Sequence, residues 1–265
     1  LCANTYDEVF ISGNSDNRCD IVFLQPNNES PTLPQDVAQM WDDTCEYYPF
    51  YRRYKNFFNI HVISRDDLII DEWWNSTWRR REYFEILDRD FAHRDIGVMI
   101  RDQGINNGAA TSSYLEDGRL CWMTSVYFRV FAHEMGHTIG NLRDTYLNYA
   151  KYNGFYPANI ILPDTAEIFN GHEYLNPRPV PGLDKWKRWY GYVDPSSGIS
   201  INDPYMHVTE PFRDPNSTTI TNYWRPSSQP SLMNNLSQPF DAVAREQMVL
   251  SLHKYIDPLD SYSDN

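Results

Sequence analysis

The chain has 265 residues and a mass of 31.2 kDa, and 41% of its residues are hydrophobic and 15% aromatic. This composition excludes a disordered chain. A mean hydropathy of −0.62, without a run of roughly 18 apolar residues, argues against a membrane span. The net charge of −13, from 23 basic and 36 acidic residues, argues against a nucleic-acid partner, which requires a basic surface. We therefore expect a soluble globular protein.

Strands and helices alternate in the N-terminal half. Apolar runs predict strands at Asp20–Leu24, Asn59–Ser64 and Ile96–Ile100, and helical spacing predicts helices at Thr32–Tyr48 and Ser76–Phe91. In the first helix we expect Thr32 to be the cap and Gln35 its reciprocal partner, and we expect Pro49 to end the helix. Such alternation is typical of a largely parallel sheet with helices packed on it.

The later part of the chain is less regular. Glu116-Asp117-Gly118 interrupts Ala109–Met123 like a hairpin turn and predicts an antiparallel edge strand. Beyond Asn141, Pro, Asn and Tyr are frequent until a last amphipathic helix at Asp241–Ile256. We therefore expect an α/β fold with a mainly parallel, twisted sheet, a long central helix and an irregular second half closed by one helix. The predicted subdomains are residues 1–140 and 141–265.

Three features favour a secreted protein. The chain begins at Leu1 and not at Met, which is typical of a processed chain. Its cysteines lack Cys-x-x-Cys spacing, which argues against a cysteine-based zinc site or redox motif, and their even number predicts two disulfide bonds in an extracellular setting, with three pairings open. Four sequons also predict N-glycosylation. The cysteines are Cys2, Cys19, Cys45 and Cys121, and the sequons begin at Asn28, Asn75, Asn216 and Asn235.

The segment Val126–Gly140 has the pattern most specific to a chemical function. It reads VYFRVFAHEMGHTIG and is apolar nearly all the way round, which predicts a buried helix. His133 and His137 are four residues apart, so both imidazoles lie on one face, about 6 Å apart along the axis. Two such rings can hold one Zn²⁺ at about 2.0–2.1 Å, with Glu134 beside it to hold a water molecule. The competing interpretation, two hydrogen-bonded histidines with an incidental glutamate, is disfavoured because a buried unpaired charge is costly.

A catalytic zinc takes three protein ligands and leaves its fourth position to water. In a continuous helix Asp144 would lie about 10 Å beyond His137, too far to reach the metal. A left-handed Gly140 would end the helix and reverse the chain, and the turn would then bring Asp144 to the metal. Other donors stay open for this position: Tyr146, Glu167, His172, Glu173 and His207.

The zinc segment and a later methionine together resemble a known family. Met233 lies in the predicted turn Ser231–Asn235, and a helical H-E-x-x-H-x-x-G followed by a methionine turn is similar to the fingerprint of metzincins. The longer pattern, from His133 through Gly140 to Asp144 and Tyr146, resembles the active-site signature of the immunoglobulin-A-peptidase family, a group of secreted metzincin-like zinc peptidases. In that family the aspartate comes one residue later than the usual third ligand, as it does here.

This resemblance extends over Asp20–Ile256 but is specific only in the zinc segment. Two stretches depart from the family pattern: Gln25-Pro26-Asn27 replaces a Gly-Asp-Gly turn, and Thr145 replaces an acidic residue. The resemblance implies a metzincin-like fold and a Zn²⁺ cofactor. The residues that match the family's functional positions are the metal ligands His133, His137 and Asp144 and the catalytic Glu134.

These features predict a secreted zinc-dependent endopeptidase, a monomer whose partner is a peptide or protein substrate. A zinc-bound water attacks the peptide carbonyl while Glu134 accepts its proton and passes it to the leaving amine. The substrate is expected to lie along the edge strand near Ala109–Leu115. A second oxyanion donor stays open among Tyr146, Tyr223 and His207.

Two other classes of protein compete with the peptidase. One is a zinc-bearing adhesion or glycan-binding module without turnover, which the 8 Trp and 19 Tyr would suit. The intact Glu134 disfavours it, because a binder needs the metal ligands and not the base. The other is a glycoside hydrolase, but no pair of acidic residues has a diagnostic spacing.

Overall fold

A computed structural model of the chain describes residues 5–26, 31–65, 85–87, 89, 91, 94–100, 108–111, 119–142, 167–169, 172–174, 186, 188–195, 198–199, 201, 205–207, 223–225 and 230–255. Contacts divide the chain into two compact units, the first formed by Leu1–Ile139 with Val249–Asn265 and the second by Gly140–Met248. Among the described helices, none combines the length and the apolar character that a membrane crossing needs.

A six-stranded sheet forms the centre of the first unit. Its strands are β1 (Thr5–Phe10), β2 (Cys19–Pro26), β3 (Phe58–Arg65), β4 (Ile96–Ile100), β5 (Gly108–Thr111) and β6 (Arg119–Met123). They lie in the order β1-β3-β2-β4-β6-β5. The four inner strands are parallel, and both edge strands run antiparallel to their neighbours. A mixed α/β fold with a mainly parallel sheet and an antiparallel edge strand is thereby confirmed.

The inner strands are the ones that the sequence predicts. β4 matches its predicted range, and β2 and β3 extend one or two residues beyond theirs. Ile21 and Phe23 point to one face of β2 and Val22 and Leu24 to the other, and all four are buried, as expected for a central parallel strand. The sequence does not predict β1, because Asp7 and Glu8 are poor strand formers and only pairing with β3 makes this segment extended.

Two consecutive helices follow β2: α1 (Leu33–Tyr47) and α2 (Pro49–Tyr54). Pro49 ends α1 as predicted, but it also begins α2, because proline is favourable at a first helical position. The predicted reciprocal cap of Thr32 and Gln35 is wrong. The Thr32 side chain caps no backbone N–H; its hydroxyl lies 2.8 Å from a carboxylate oxygen of Asp36.

Much of the predicted helix Ser76–Phe91 lies outside the described residues. Within that range residues 85–87 and 89 are helical. The predicted hairpin turn Glu116–Gly118 also lies outside the described residues. The third helix of the first unit, α3 (Phe128–Thr138), follows β6 and contains the two histidines of the zinc pattern.

An aromatic core attaches α3 to the rest of the first unit. The Trp41 ring on α1 makes edge-to-face contacts with Phe58, Tyr51 and Phe131, at centroid distances of 5.3, 6.2 and 6.3 Å. All four side chains are buried. Aromatic pairs of this geometry contribute about 0.5–1.5 kcal/mol beyond the area they bury. Elements far apart in sequence are therefore held to one another by one cluster of rings.

A chain of polar side chains, which begins at the exposed Tyr6 and ends at the buried Asp20, connects β1, β3 and β2. The Tyr6 hydroxyl lies 2.7 Å from Nδ1 of His61, and Nε2 of His61 lies 2.7 Å from Oδ1 of Asp20. That oxygen also accepts hydrogen bonds from Ser15 and Asn59, at 3.2 and 3.0 Å. Asp20 is fully buried, so these donors replace the water at Oδ1. Among the described residues, its other oxygen, Oδ2, has no hydrogen-bond partner.

The second unit contains short antiparallel strand pairs and most of the last helix. β7 (Glu167–Phe169) pairs with β8 (His172–Tyr174), and β9 (Tyr205–His207) pairs with β10 (Tyr223–Arg225). The last helix is α4 (Ala242–Leu252), which is shorter than the predicted Asp241–Ile256. Asp241 precedes it, and Oδ1 of Asp241 accepts a hydrogen bond from the backbone N–H of Ala244 at 2.8 Å.

The cysteines do not follow the disulfide expectation. Cys19, Cys45 and Cys121 are buried thiols, and Cys2 lies outside the described residues. Two disulfide bonds would require at least one bond among these three, so the expected pair of disulfides is not formed. Burial raises the pKa of the Cys45 thiol to about 12. The surroundings of these thiols are therefore those of a hydrophobic core.

Candidate metal site

The polar residues of α3 lie on an otherwise apolar, buried helix. Its core-facing side chains include Val130, Phe131 and Met135. His133 and Glu134 are 3% and 5% exposed, and His137 is half-buried. Polar groups this deeply buried are costly unless they have partners or hold a ligand. The burial confirms the sequence-based prediction of a buried helix.

The two imidazoles converge on one point. Nε2 of His133 lies 3.2 Å from Nε2 of His137, and the ring planes are nearly perpendicular, at 89°. Two ligand bonds of about 2.0–2.1 Å at a tetrahedral angle place their nitrogens about 3.3 Å apart. The distance in this protein therefore fits two nitrogen ligands of one zinc ion, and it also fits a hydrogen bond between the two rings, which is the competing interpretation. Imidazole nitrogen is also among the donors that zinc prefers.

Glu134 is one residue beyond the first histidine and points into the interior of the first unit. Its carboxylate is close enough to Cys121 on β6 to add to the effect of burial, and together they raise the pKa of that thiol well above its usual value. The Thr138 hydroxyl donates to the backbone carbonyl of Glu134 at 2.9 Å, within the last turn of the helix. Glu134 is thus held in a region of low water access.

A tyrosine that the sequence does not single out contacts the backbone of this helix. The Tyr51 hydroxyl donates to the carbonyl oxygen of Ala132, the residue before His133, at 3.1 Å. Tyr51 is fully buried, and burial raises the pKa of its phenol well above its usual value, so it stays a donor. No local signal distinguishes Tyr51 among 19 tyrosines, because the contact joins residues that are 81 positions apart.

The end of α3 differs in one detail from the prediction. The backbone N–H of Ile139 bonds to the carbonyl of Met135 at 2.8 Å, and the left-handed residue that follows is Asn141, with a φ of 53°. Gly140 was expected to adopt that conformation and does not. Asparagine tolerates positive φ better than most residues, because its side chain bonds locally. The helix therefore ends where predicted, but the left-handed conformation is adopted by Asn141 and not by Gly140.

The residue predicted as the third zinc ligand lies outside the described part of the chain. Asp144 and Tyr146 lie outside the described residues. The structure places the backbone of Glu167, His172 and Glu173 in the β7–β8 pair and that of His207 and Tyr223 in the β9–β10 pair, without their side chains. Among the side chains that are described, no group of three His, Cys, Asp or Glu residues could hold a metal. Two of the three predicted donors are thus brought together, and the third stays a prediction.

Met233 occupies a buried turn in the second unit. The backbone N–H groups of Asn234 and Asn235 both bond to the Ser231 carbonyl at 2.8 Å, and Met233 is fully buried. A turn at this position, ahead of the last helix, agrees with the sequence-based prediction. Asn235, the start of one predicted sequon, is exposed. The other three sequons lie outside the described residues.

Comparisons with known proteins add no family assignment. No protein-family model matches the chain. A search among curated proteins found no similar sequence. The function is therefore inferred from the α3 residues and their geometry.

Proposed function

We propose that this chain is a secreted zinc-dependent endopeptidase. The observation that carries the proposal is the 3.2 Å separation of the His133 and His137 Nε2 atoms, which fits two ligands of one zinc ion. Asp144 is the proposed third ligand, as an oxygen donor. A site with three protein ligands keeps a fourth position for water, which separates a catalytic zinc site from a structural one.

Glu134 is the proposed general base and acid. A bound zinc supplies Lewis acidity, which lowers the pKa of a water molecule from 15.7 to about 7. The Glu134 carboxylate, directly after the first histidine, accepts a proton from the attacking water and passes it to the leaving amine. Because the side chain is 5% exposed, little bulk water competes for that proton.

The proposed fold family is metzincin-like, within the immunoglobulin-A-peptidase group. Three described features support it: a mainly parallel sheet, an antiparallel edge strand before the zinc helix, and a buried methionine turn before the last helix. Among the described strands β5 pairs with β6 alone, so its other edge is the proposed surface for an extended substrate. The expected subdomains, residues 1–140 and 141–265, the secreted location and the monomeric state belong to the same proposal.

Zinc content and cleavage, measured separately, test this function. We expect wild-type protein to bind one zinc per chain and to cleave a denatured protein, with a chelator abolishing cleavage. Glu134→Ala should keep its zinc and lose roughly 10²–10⁴-fold in cleavage rate. His133→Ala should lose the metal. Glu46→Ala, which removes an exposed carboxylate on α1, is the matched control and should retain both properties.

The same measurements separate the competing functions. A zinc-bearing adhesion or glycan-binding module would retain zinc and show no chelator-sensitive cleavage in any variant. Equal cleavage by wild type and Glu134→Ala would refute the catalytic role. Asp144→Ala should weaken zinc retention, and an unchanged zinc content would assign the third ligand to another residue.

A further inference from the structure

A second candidate site of the first unit is lined by neither of the two histidines. It is a cavity of about 460 Å³ whose lining comes from three segments, each at or after the carboxyl end of a parallel strand. These segments are the first three turns of α1, which follow β2, the last residue of β4 (Ile100), and the passage from β6 into the first residue of α3 (Ser125–Phe128). The cavity therefore lies at the carboxyl edge of the sheet.

The strand order makes this edge a favourable place for a ligand. β2 is followed by α1 and then by β3 on one side of it, whereas β4 pairs with β2 on the other side. The connections that leave β2 and β4 therefore run to opposite sides of the sheet, which makes the gap between these two strands a topological switch point. In open α/β sheets, ligands bind in the crevice at such a switch point, outside the carboxyl ends of the strands. The cavity is lined from α1 and from Ile100 at the end of β4, so it lies at that switch point.

The floor and one wall of the cavity are apolar. Leu33, Met40 and Ile100 are buried, and Tyr127 and Phe128 add two partly exposed rings. The guanidinium carbon of Arg129 lies 5.3 Å from the centroid of the Phe128 ring. The charge of Arg129 occupies the Phe128 ring, so this wall offers a ligand apolar contact and not a second site for a cation.

Two carboxylates stand on the α1 side of the cavity. Asp36 and Asp43 are seven residues apart on one helix face, about 10.5 Å along its axis, and the apolar Met40 lies between them. Their hydrogen-bond donors are neutral: the Thr32 hydroxyl and the Gln39 amide, each at 2.8 Å. Within the described part of the chain neither aspartate forms an ion pair.

We propose that this cavity binds a linear aliphatic compound with an ammonium group at each end. The order carboxylate, apolar floor, carboxylate along α1 is complementary to the order cation, methylene chain, cation. With C–C bonds of about 1.5 Å, a chain of roughly eight carbons spans the distance between the aspartates. The site shares no residue with the histidine pair, so it stands or fails independently of the peptidase proposal.

Calorimetric titration of the full chain, in buffer with a chelator, tests the proposal with three probes. We expect 1,8-diaminooctane to bind roughly tenfold or more tightly than 1,4-diaminobutane, because its longer chain buries more apolar surface. It should also bind more tightly than octylamine, which has a single charge. Asp36→Asn and Asp43→Asn should each weaken binding of the long diamine roughly two- to fivefold, the range for exposed ion pairs.

Asp42 provides a matched control on the same helix. Its carboxylate pairs with Lys55 at 2.9 Å and does not line the cavity, so Asp42→Asn changes the net charge equally and should leave the affinity unchanged. All four proteins should have the same urea midpoint, because the substituted side chains are not buried. Absence of binding at millimolar concentration, equal affinity for the long and short diamines, or equal weakening by Asp42→Asn would each overturn the proposal.

Discussion

Removing the Tyr51 hydroxyl should loosen the attachment of the histidine helix by a small, defined amount. Tyr51→Phe keeps the buried ring and deletes only the 3.1 Å hydrogen bond to the Ala132 carbonyl. That carbonyl keeps its helical bond to the N–H of Gly136, so no acceptor is left unsatisfied. The cost should therefore be about 1 kcal/mol, with a fall in Tm of about 2–4 °C.

Urea unfolding followed by tryptophan fluorescence measures this cost, because Trp41 lies in the same aromatic cluster. Tyr54→Phe is the matched control: it removes the same atom from the half-buried last residue of α2 and should change the free energy of unfolding by less than about 0.5 kcal/mol. Equal midpoints for wild type and Tyr51→Phe would refute the idea that this hydroxyl supports α3. A loss above about 3 kcal/mol would contradict the expectation that the Ala132 carbonyl keeps its helical hydrogen bond in the variant.

Three further predictions concern buried polar groups. Burial raises the pKa of Asp241 above its usual 3.8, so ionising this carboxyl destabilises the folded state. The free energy of unfolding, measured by urea titration, should therefore fall as the pH rises from 3.8 through the raised pKa. Asp241→Asn should flatten this pH dependence, and an unchanged slope would contradict the assignment. Cys45 and Cys121 should resist iodoacetamide at about pH 8 until the protein is unfolded, as mass spectrometry can show; rapid native labelling would mean that the thiols are accessible. Asp20→Ala and His61→Ala should each lower the free energy of unfolding by about 3–5 kcal/mol. The double variant should lose clearly less than the sum of the two single losses, and additive losses would exclude an interaction between the two side chains.

Only part of the candidate site could be predicted from the local sequence pattern. The spacing of His133 and His137 places both rings on one helix face, because four residues complete slightly more than one turn. Convergence of their Nε2 atoms to 3.2 Å depends also on side-chain rotamers, and packing against the rest of the first unit selects those. Tyr51 could not be found from the sequence, because its partner is 81 residues away.

By itself, the sequence determined the inner strands of the sheet, the buried helix α3 and the turn that contains Met233. The strands and the helix follow from local sequence patterns, because a strand buried on both faces is a continuous apolar run and a buried helix repeats every 3.6 residues. Only the tertiary structure decided that Thr5–Phe10 forms an edge strand, that the described cysteines stay thiols, and that Asp36 and Asp43 border a cavity. These features depend on which distant segments meet, and such pairings arise from the path of the whole chain.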